Sequence, residues 1–266
     1  MNGERILPDK IYFRSEYLLY LKQIYAYRWV KDIIPASSVC LDLGCGEGYG
    51  TKILSLWMKK IIGVDIGEQV IDKACRKYLS KTCAFRKYDG KTLPFPDNTF
   101  DAVVSFQVIE HVKDDSNFIA EAHRVLKKGG LFILATPNKN IRLPQNQKPW
   151  NVYHVREYSP HEAEKILKSR FSNVDILGIN AVDEVRKIEQ ERIKQNLKII
   201  SWDFLNLRRI LPKCISANIV KIVHFLKKRE KDALQTEIDN LDISGLYKIE
   251  AQNVKNALDI VGVCRK

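Results

Sequence analysis

Apolar and polar positions alternate in blocks along this chain, and the blocks predict strand and helix in turn. Short apolar runs read as buried strands near 39–43, 61–65, 84–87, 101–106, 131–135, 173–178 and 257–264. Amphipathic stretches between them read as helices near 50–58, 68–79, 115–127 and 160–169. Such alternation implies a parallel sheet with helices on both faces. The helix at 160 has a full start signal: Ser159 as cap, Pro160 at the first helical position and Glu162 closing a capping box. The helix before Leu131 reads as ending in Lys127-Lys128-Gly129, cations followed by a terminating glycine.

Two strands end in candidate chemistry. Val39-Cys40-Leu41-Asp42-Leu43 runs into Gly44-Cys45-Gly46-Glu47-Gly48-Tyr49-Gly50, with glycine at every second position. Glycine lets backbone lie against a ligand with no Cβ in between. The helix that follows would point its free N–H groups at that ligand. Ile61-Ile62-Gly63-Val64 ends in Asp65, about 20 residues after Gly44, a spacing that suits a ribose diol. A dinucleotide fingerprint needs a small residue at the sixth position of G-x-G-x-x-G, and here that position is Tyr49.

With Asp42 in front, the glycine pattern resembles the nucleotide loop of class I S-adenosylmethionine (SAM)-dependent methyltransferases. Further segments resemble that family in the same order. They are Asp65, Tyr88-Asp89-Gly90 before Leu93-Pro94-Phe95-Pro96-Asp97, Val103 to Val112, and Arg124-Val125-Leu126-Lys127-Lys128-Gly129-Gly130-Leu131 before Thr136-Pro137-Asn138. The resemblance implies a Rossmann-like sheet of seven strands, the last antiparallel, with 257–264 as the candidate. It implies SAM as cofactor and S-adenosylhomocysteine as product. Asp42, Gly44, Gly46 and Gly48 would surround the methionine moiety and ribose. Asp65 would take the ribose hydroxyls, Ile66 would pack on adenine, Asp89 beside Gly90 would accept from the adenine amino group, and Gln107 would stand near the sulfonium. No metal is implied. Glu110-His111 and Asp114-Asp115 contain ligand types, but carboxylates before a helix are ordinarily caps.

Composition fits a folded enzyme. Of 266 residues, 45% are hydrophobic, and no run approaches the ~20 apolar residues that span a bilayer. Met1 to Arg5 lack the apolar core of a signal peptide. Six cysteines show no C-x-x-C pair or zinc spacing, Cys40 and Cys75 sit among apolar neighbours, and a reducing cytoplasm is expected. Residues 1–38 carry Tyr12, Tyr17, Tyr20, Tyr25, Tyr27 and Trp29 and read as a helical cover over the cofactor side. Residues 39–180 and 251–266 read as the core, and 181–250 as a basic helical insertion. Within it, 192–231 hold eleven Lys or Arg and two acidic residues, a net +9 against +12 for the whole chain. Ile215, Ile219, Ile222, Val223 and Leu226 there fall at helical spacing. The segment reads as a solvated face, a lid for an anionic acceptor, or a membrane-surface contact. Nucleic acid is the partner it supports least.

The acceptor should sit beyond the carboxyl ends of the strands. Gln107, Glu110 and His111 follow the fourth strand, and His111 is a candidate general base, since an imidazole's ordinary pKa of ~6.5 suits that work. His154, in the loop Pro149 to Tyr158, is a second catalytic or substrate-contacting candidate. That loop, Gly3-Glu4-Arg5 and Gly46-Glu47-Gly48-Tyr49-Gly50 are similar to segments of methyltransferases encoded with bacterial surface-glycan genes. The resemblance implies a hydroxyl of a sugar or lipid-linked sugar as acceptor. The alternatives are a quinone- or lipid-directed methyltransferase at a membrane surface and a non-catalytic SAM-binding module.

Overall fold

The computed structural model describes residues 11, 14–144, 147, 149, 151, 153–202 and 243–266. Its centre is an eight-stranded sheet: β1 (Val39–Leu43), β2 (Lys60–Asp65), β3 (Cys83–Lys87), β4 (Phe100–Phe106), β5 (Leu126–Pro137), β6 (Asn173–Ala181), β7 (Tyr247–Glu250) and β8 (Asp259–Arg265). Their order across the sheet is β3-β2-β1-β4-β5-β8-β6-β7. The pairs β1–β2, β1–β4, β2–β3 and β4–β5 are parallel; β8 is antiparallel to β5 and β6, and β7 to β6. Strand order reverses between β1 and β4, which puts the ligand crevice outside their carboxyl ends.

Period-two alternation along the strands explains the two cores. Cys40, Ala102, Val104, Ile133 and Ala135 face one side, where α1 (Arg14–Trp29) and α2 (Tyr49–Leu54) pack. Leu41, Leu43, Val103, Phe132 and Leu134 face the other, under α4 (Asp115–Val125) and α6 (Pro160–Leu167). The remaining helices among the described residues are α3 (Glu68–Tyr78), the turn α5 (Lys139–Arg142), α7 (Asp183–Trp202) and a single turn at Ile243–Leu246. The capping box at Ser159 and Glu162 is formed.

The structure departs from the sequence reading in several places. The sheet has eight strands rather than seven, because Tyr247–Glu250 pairs with β6. The segment set aside as an insertion therefore ends in a strand of the core. Lys127 and Lys128 do not end a helix: α4 stops at Val125, Leu126 already pairs with Phe100, and the ladder shifts register before Ala102. Lys127 instead reaches Asp101 at 2.7 Å. Cys75 is half-buried rather than core, while Cys40 is fully buried.

The start of the insertion is helical as α7, which contributes Val185 to the core on the α1 side. Two of its basic residues are paired locally: Arg192 with Glu189, and Lys194 with Glu191 at 3.2 Å. Arg208, Arg209, Lys227, Lys228 and the apolar series Ile215 to Leu226 lie outside the described residues, as does Tyr12. Among the described residues no helix is long and apolar enough to cross a membrane.

Candidate active site

The glycine loop after β1 is tied to the end of β2 by backbone: Gly44 N–H and Cys45 N–H donate to Val64 O at 2.8 and 2.9 Å. Gly44, Gly46 and Gly48 have φ of +85°, +56° and +84°, the left-handed region that glycine enters without strain. Their reasons differ in space. A Cβ on Gly44 would stand 2.4 Å from Val108, and one on Gly48 2.6 Å from Phe85. Only Gly46 would aim a Cβ into open space. Two of the three glycines thus serve close packing within the protein, and Gly46 alone leaves room for a ligand.

Asp65 closes the loop from the neighbouring strand. Its Oδ2 accepts from Gly46 N–H at 3.1 Å and its Oδ1 from Gly67 N–H at 2.8 Å. A carboxylate offers about four acceptor sites, so it retains capacity for hydroxyl donors. Ile66, beside it, is 43% exposed and offers an apolar platform, with Gly90 packed at its flank. Asp89 Oδ1 accepts from the backbone of Lys91 and Thr92 at 2.7 and 2.8 Å. These bonds hold its carboxyl below the usual range, so it is an acceptor. A backbone bond from Tyr88 N–H to Asp65 O fixes Asp65 and Asp89 on the same edge. The open glycine, charged acceptor and exposed apolar side chain fit an adenosyl group.

Asp42 and Gln107 face elsewhere. Asp42 is fully buried; it accepts from Thr51 Oγ1 at 2.6 Å and from Tyr27 OH at 3.3 Å. Burial pushes its pKa up to about 7 against those two donors. Its carboxyl therefore anchors α1 and α2 to β1 instead of lining the crevice. Gln107, at φ +58°, donates from Nε2 to Asp259 Oδ2 at 3.0 Å, and Asp259 also pairs with buried Lys22 at 2.6 Å. Its side-chain amide is committed to β8. The sequence reading placed Tyr27 in the N-terminal cover but not against Asp42, and it did not point to the Lys22–Asp259 pair, because the partners come from distant elements.

Across the switch point, the chain leaving β4 turns through Ile109–His111. Glu110 is 1% exposed and accepts from Thr136 Oγ1, on β5, at 3.0 Å. The loop at 153–158 folds back over it, with Val155 N–H donating to Glu110 O at 2.8 Å. That fold brings His154 against His111, ring centres 4.9 Å apart and nearly perpendicular. His111 Nδ1 lies 3.1 Å from Tyr153 O, and His154 Nδ1 lies 2.7 Å from Glu157 Oε1. Burial works against the Glu157 charge, yet His154 and Arg142 hold its carboxyl below the usual range. Asp114, by contrast, is a cap for Asn117 N–H at 3.0 Å, and Asp115 accepts from Tyr158 OH at 2.7 Å.

Residues 41–134 match the methyltransferase domain family. A Mycolicibacterium smegmatis protein named "Probable S-adenosylmethionine-dependent methyltransferase" is 34% identical over 185 residues, 67% of this chain and 68% of its own. The 2-methyl-6-phytyl-1,4-hydroquinone methyltransferase of Synechocystis is 33% identical over 154 residues, 56% of this chain and 48% of its own. The matched span is thus about half to two thirds of these relatives' length. In structure the chain is similar to a SAM-dependent methyltransferase from Thermotoga maritima, with a TM-score of 0.57, 16% identity, and 95% and 93% of the two chains covered. The chain belongs to the SAM-dependent methyltransferases. It is an enzyme of that family, with SAM as cofactor and S-adenosylhomocysteine as product.

Proposed function

We propose that this enzyme methylates a hydroxyl of a small-molecule or glycan acceptor, a sugar or lipid-linked sugar. The observation that carries the reading is the pairing of His111 and His154 beside buried Glu110, at the carboxyl end of β4. Tyr153 O accepts only, and Glu157 is ionised, so each imidazole donates from Nδ1 in these two bonds. Two imidazoles oriented in this way suit the activation of a hydroxyl, which is a poor nucleophile until its proton is drawn away.

Bound SAM supplies an electrophilic methyl group on a sulfonium. The chain's own part is to hold and orient. Asp65 would accept from the ribose hydroxyls, Ile66 with Gly90 would pack against adenine, and Asp89 would accept from its amino group. Gly44, Gly46 and Gly48 would shape the loop around the methionine moiety, Gln107 would border it through backbone, and Asp42 would fix the loop from behind. His111 would take the acceptor proton, with His154 contacting the same acceptor. Holding both reactants in line is itself worth on the order of 7–11 kcal/mol in favourable cases. The basic segment 192–231 would favour an anionic acceptor, an attraction that salt weakens.

A quinone or lipid acceptor is the second reading, favoured by the similarity to the Synechocystis hydroquinone methyltransferase. Methyl-transfer assays against sugar nucleotides, lipid-linked sugars and quinone precursors decide between them. A sugar hydroxyl methylated by wild type and not by His111→Ala is the expected result. Turnover of quinone precursors alone overturns the glycan reading, and SAM binding without turnover of any acceptor class favours a non-catalytic module.

A further inference from the structure

Glu110, His111 and His154 each place one donor atom within 4.8 Å of the other two. The outer hydrogen bonds are those of metal-ligating histidines. In such sites the second ring nitrogen donates to a backbone carbonyl or a carboxylate, which fixes the tautomer and aims the lone pair. Here Tyr153 O and Glu157 Oε1 take those roles, and Arg142 supports Glu157 from 3.1 Å.

The third member supplies an independent observation. Glu110 is almost wholly buried, and while Oε2 accepts from Thr136, Oε1 has no hydrogen-bond partner. A buried carboxyl oxygen without a partner costs on the order of 1–3 kcal/mol or more. A cation resolves that deficit. We propose that Glu110 Oε1 and the Nε2 atoms of His111 and His154 hold one divalent cation of the zinc class. Two imidazoles and a carboxylate match a three-ligand zinc site with a fourth position open. Hard oxygen-seeking cations such as Mg²⁺ are served less well by two nitrogens. Ligand atoms around zinc at ~2.0–2.1 Å stand about 3.4 Å apart, so the cluster must close by up to about 1.4 Å on binding. His111, half-buried where its partners are buried, has the room to supply that movement.

The sequence reading implied no metal: it named Glu110-His111 and Asp114-Asp115 as ligand types, took carboxylates before a helix as caps, and did not join His154, 43 residues further on, to them. The cation's binding stands without any assignment of the acceptor. Its use rests on the hydroxyl reading: the cation would acidify a hydroxyl oxygen in the open position, which would release its proton to solvent, and His111 would then serve as a ligand in place of taking that proton itself.

The test uses the untagged full chain, stripped with a chelator and titrated with Co²⁺ in the absence of SAM. One equivalent should bind with the visible absorption of tetrahedral cobalt, and Zn²⁺ should displace it. The His111→Ala variant, altered at the least buried ligand, should bind at least tenfold more weakly while keeping its thermal transition. Glu157→Gln, which touches no ligand atom, should weaken binding by about 10–100-fold. Absence of a stoichiometric Co²⁺ or Zn²⁺ complex, preference for Mg²⁺, or unchanged affinity in His111→Ala overturns the proposal. A metal complex without methylation of any hydroxyl sustains the site and counts against the acceptor reading alone.

Discussion

The side of the crevice that we assign to the cofactor is held together by main-chain donors, and the side that we assign to the acceptor mainly by buried side chains. Around Gly44 to Asp89 the bonds run from main-chain N–H groups to Asp65, Asp89 and Val64. Around Glu110 they run mainly between side chains drawn from the turn after β4, from β5, α5 and the loop before α6, with Val155 N–H to Glu110 O as the backbone tie. A backbone cradle tolerates variation in neighbouring side chains, whereas a network of buried charged groups fails as a unit. The first kind of site suits a cofactor that never changes; the second suits one particular acceptor.

The sharpest way to break this contrast is to remove one imidazole. His111→Ala should lower turnover by about 10²–10⁴, roughly 3–5.5 kcal/mol in barrier, and leave SAM affinity unchanged. Turnover near wild type would show that the acceptor side positions rather than activates. Calorimetric loss of SAM binding would show that the two sides are not separable.

Stability reports the same difference. Glu157 and Arg142 are both buried and paired, with His154 as the third partner. Glu157→Ala leaves Arg142 buried without its carboxylate and should cost about 3–5 kcal/mol in chemical unfolding, while Glu157→Gln should cost less. An Ala variant as stable as wild type would mean that the network is not a unit.

The contrast also explains what was legible in the sequence. The cofactor edge is local: a strand, a turn and an acidic residue at the next strand end, each visible as a run of adjacent residues. The strand and helix order was legible for the same reason. His111 and His154 could be singled out by type and by position after a strand, but their contact could not. It depends on Val155 folding onto Glu110 O, and no periodicity encodes that bond. Strand β7 was missed because Tyr247–Glu250 is a four-residue edge strand inside a charged stretch. Asp42 shows a subtler limit. The family resemblance set it beside the methionine moiety and ribose, and alternation along β1 turns its side chain toward Tyr27 on α1 and Thr51 on α2.

On the cofactor side a single charge is expected to matter less. Asp65→Ala should weaken SAM by roughly 1.5–3 kcal/mol, the value of a hydrogen bond to a charged group. Asp65 also holds Gly46 and Gly67, so part of the loss will come from the loop it fastens. Asp65→Asn keeps one acceptor oxygen and should recover part of the affinity in calorimetry. Equal affinity in wild type and the Ala variant would remove Asp65 from the site.

Asp42 gives the cleanest sign. Burial raises its folded pKa to about 7, above an unfolded value near 3.9. The folded state therefore binds this proton more tightly than the unfolded chain does. The stability it contributes is fully present below about pH 4 and is lost as pH rises towards 7, at no more than about 1.4 kcal/mol per unit. Glu157 and Glu189, both held below the usual range, tilt the curve the other way, so the informative quantity is variant minus wild type. Asp42→Asn removes the titration and keeps an oxygen for Thr51 or Tyr27. Urea unfolding at about pH 4.5 and pH 7 should show the variant gaining on wild type as pH rises. A difference that stays constant with pH would mean that Asp42 is ionised in the fold. Its bonds to Thr51 and Tyr27 would then outweigh its burial, and the buried anchor would be a charged one.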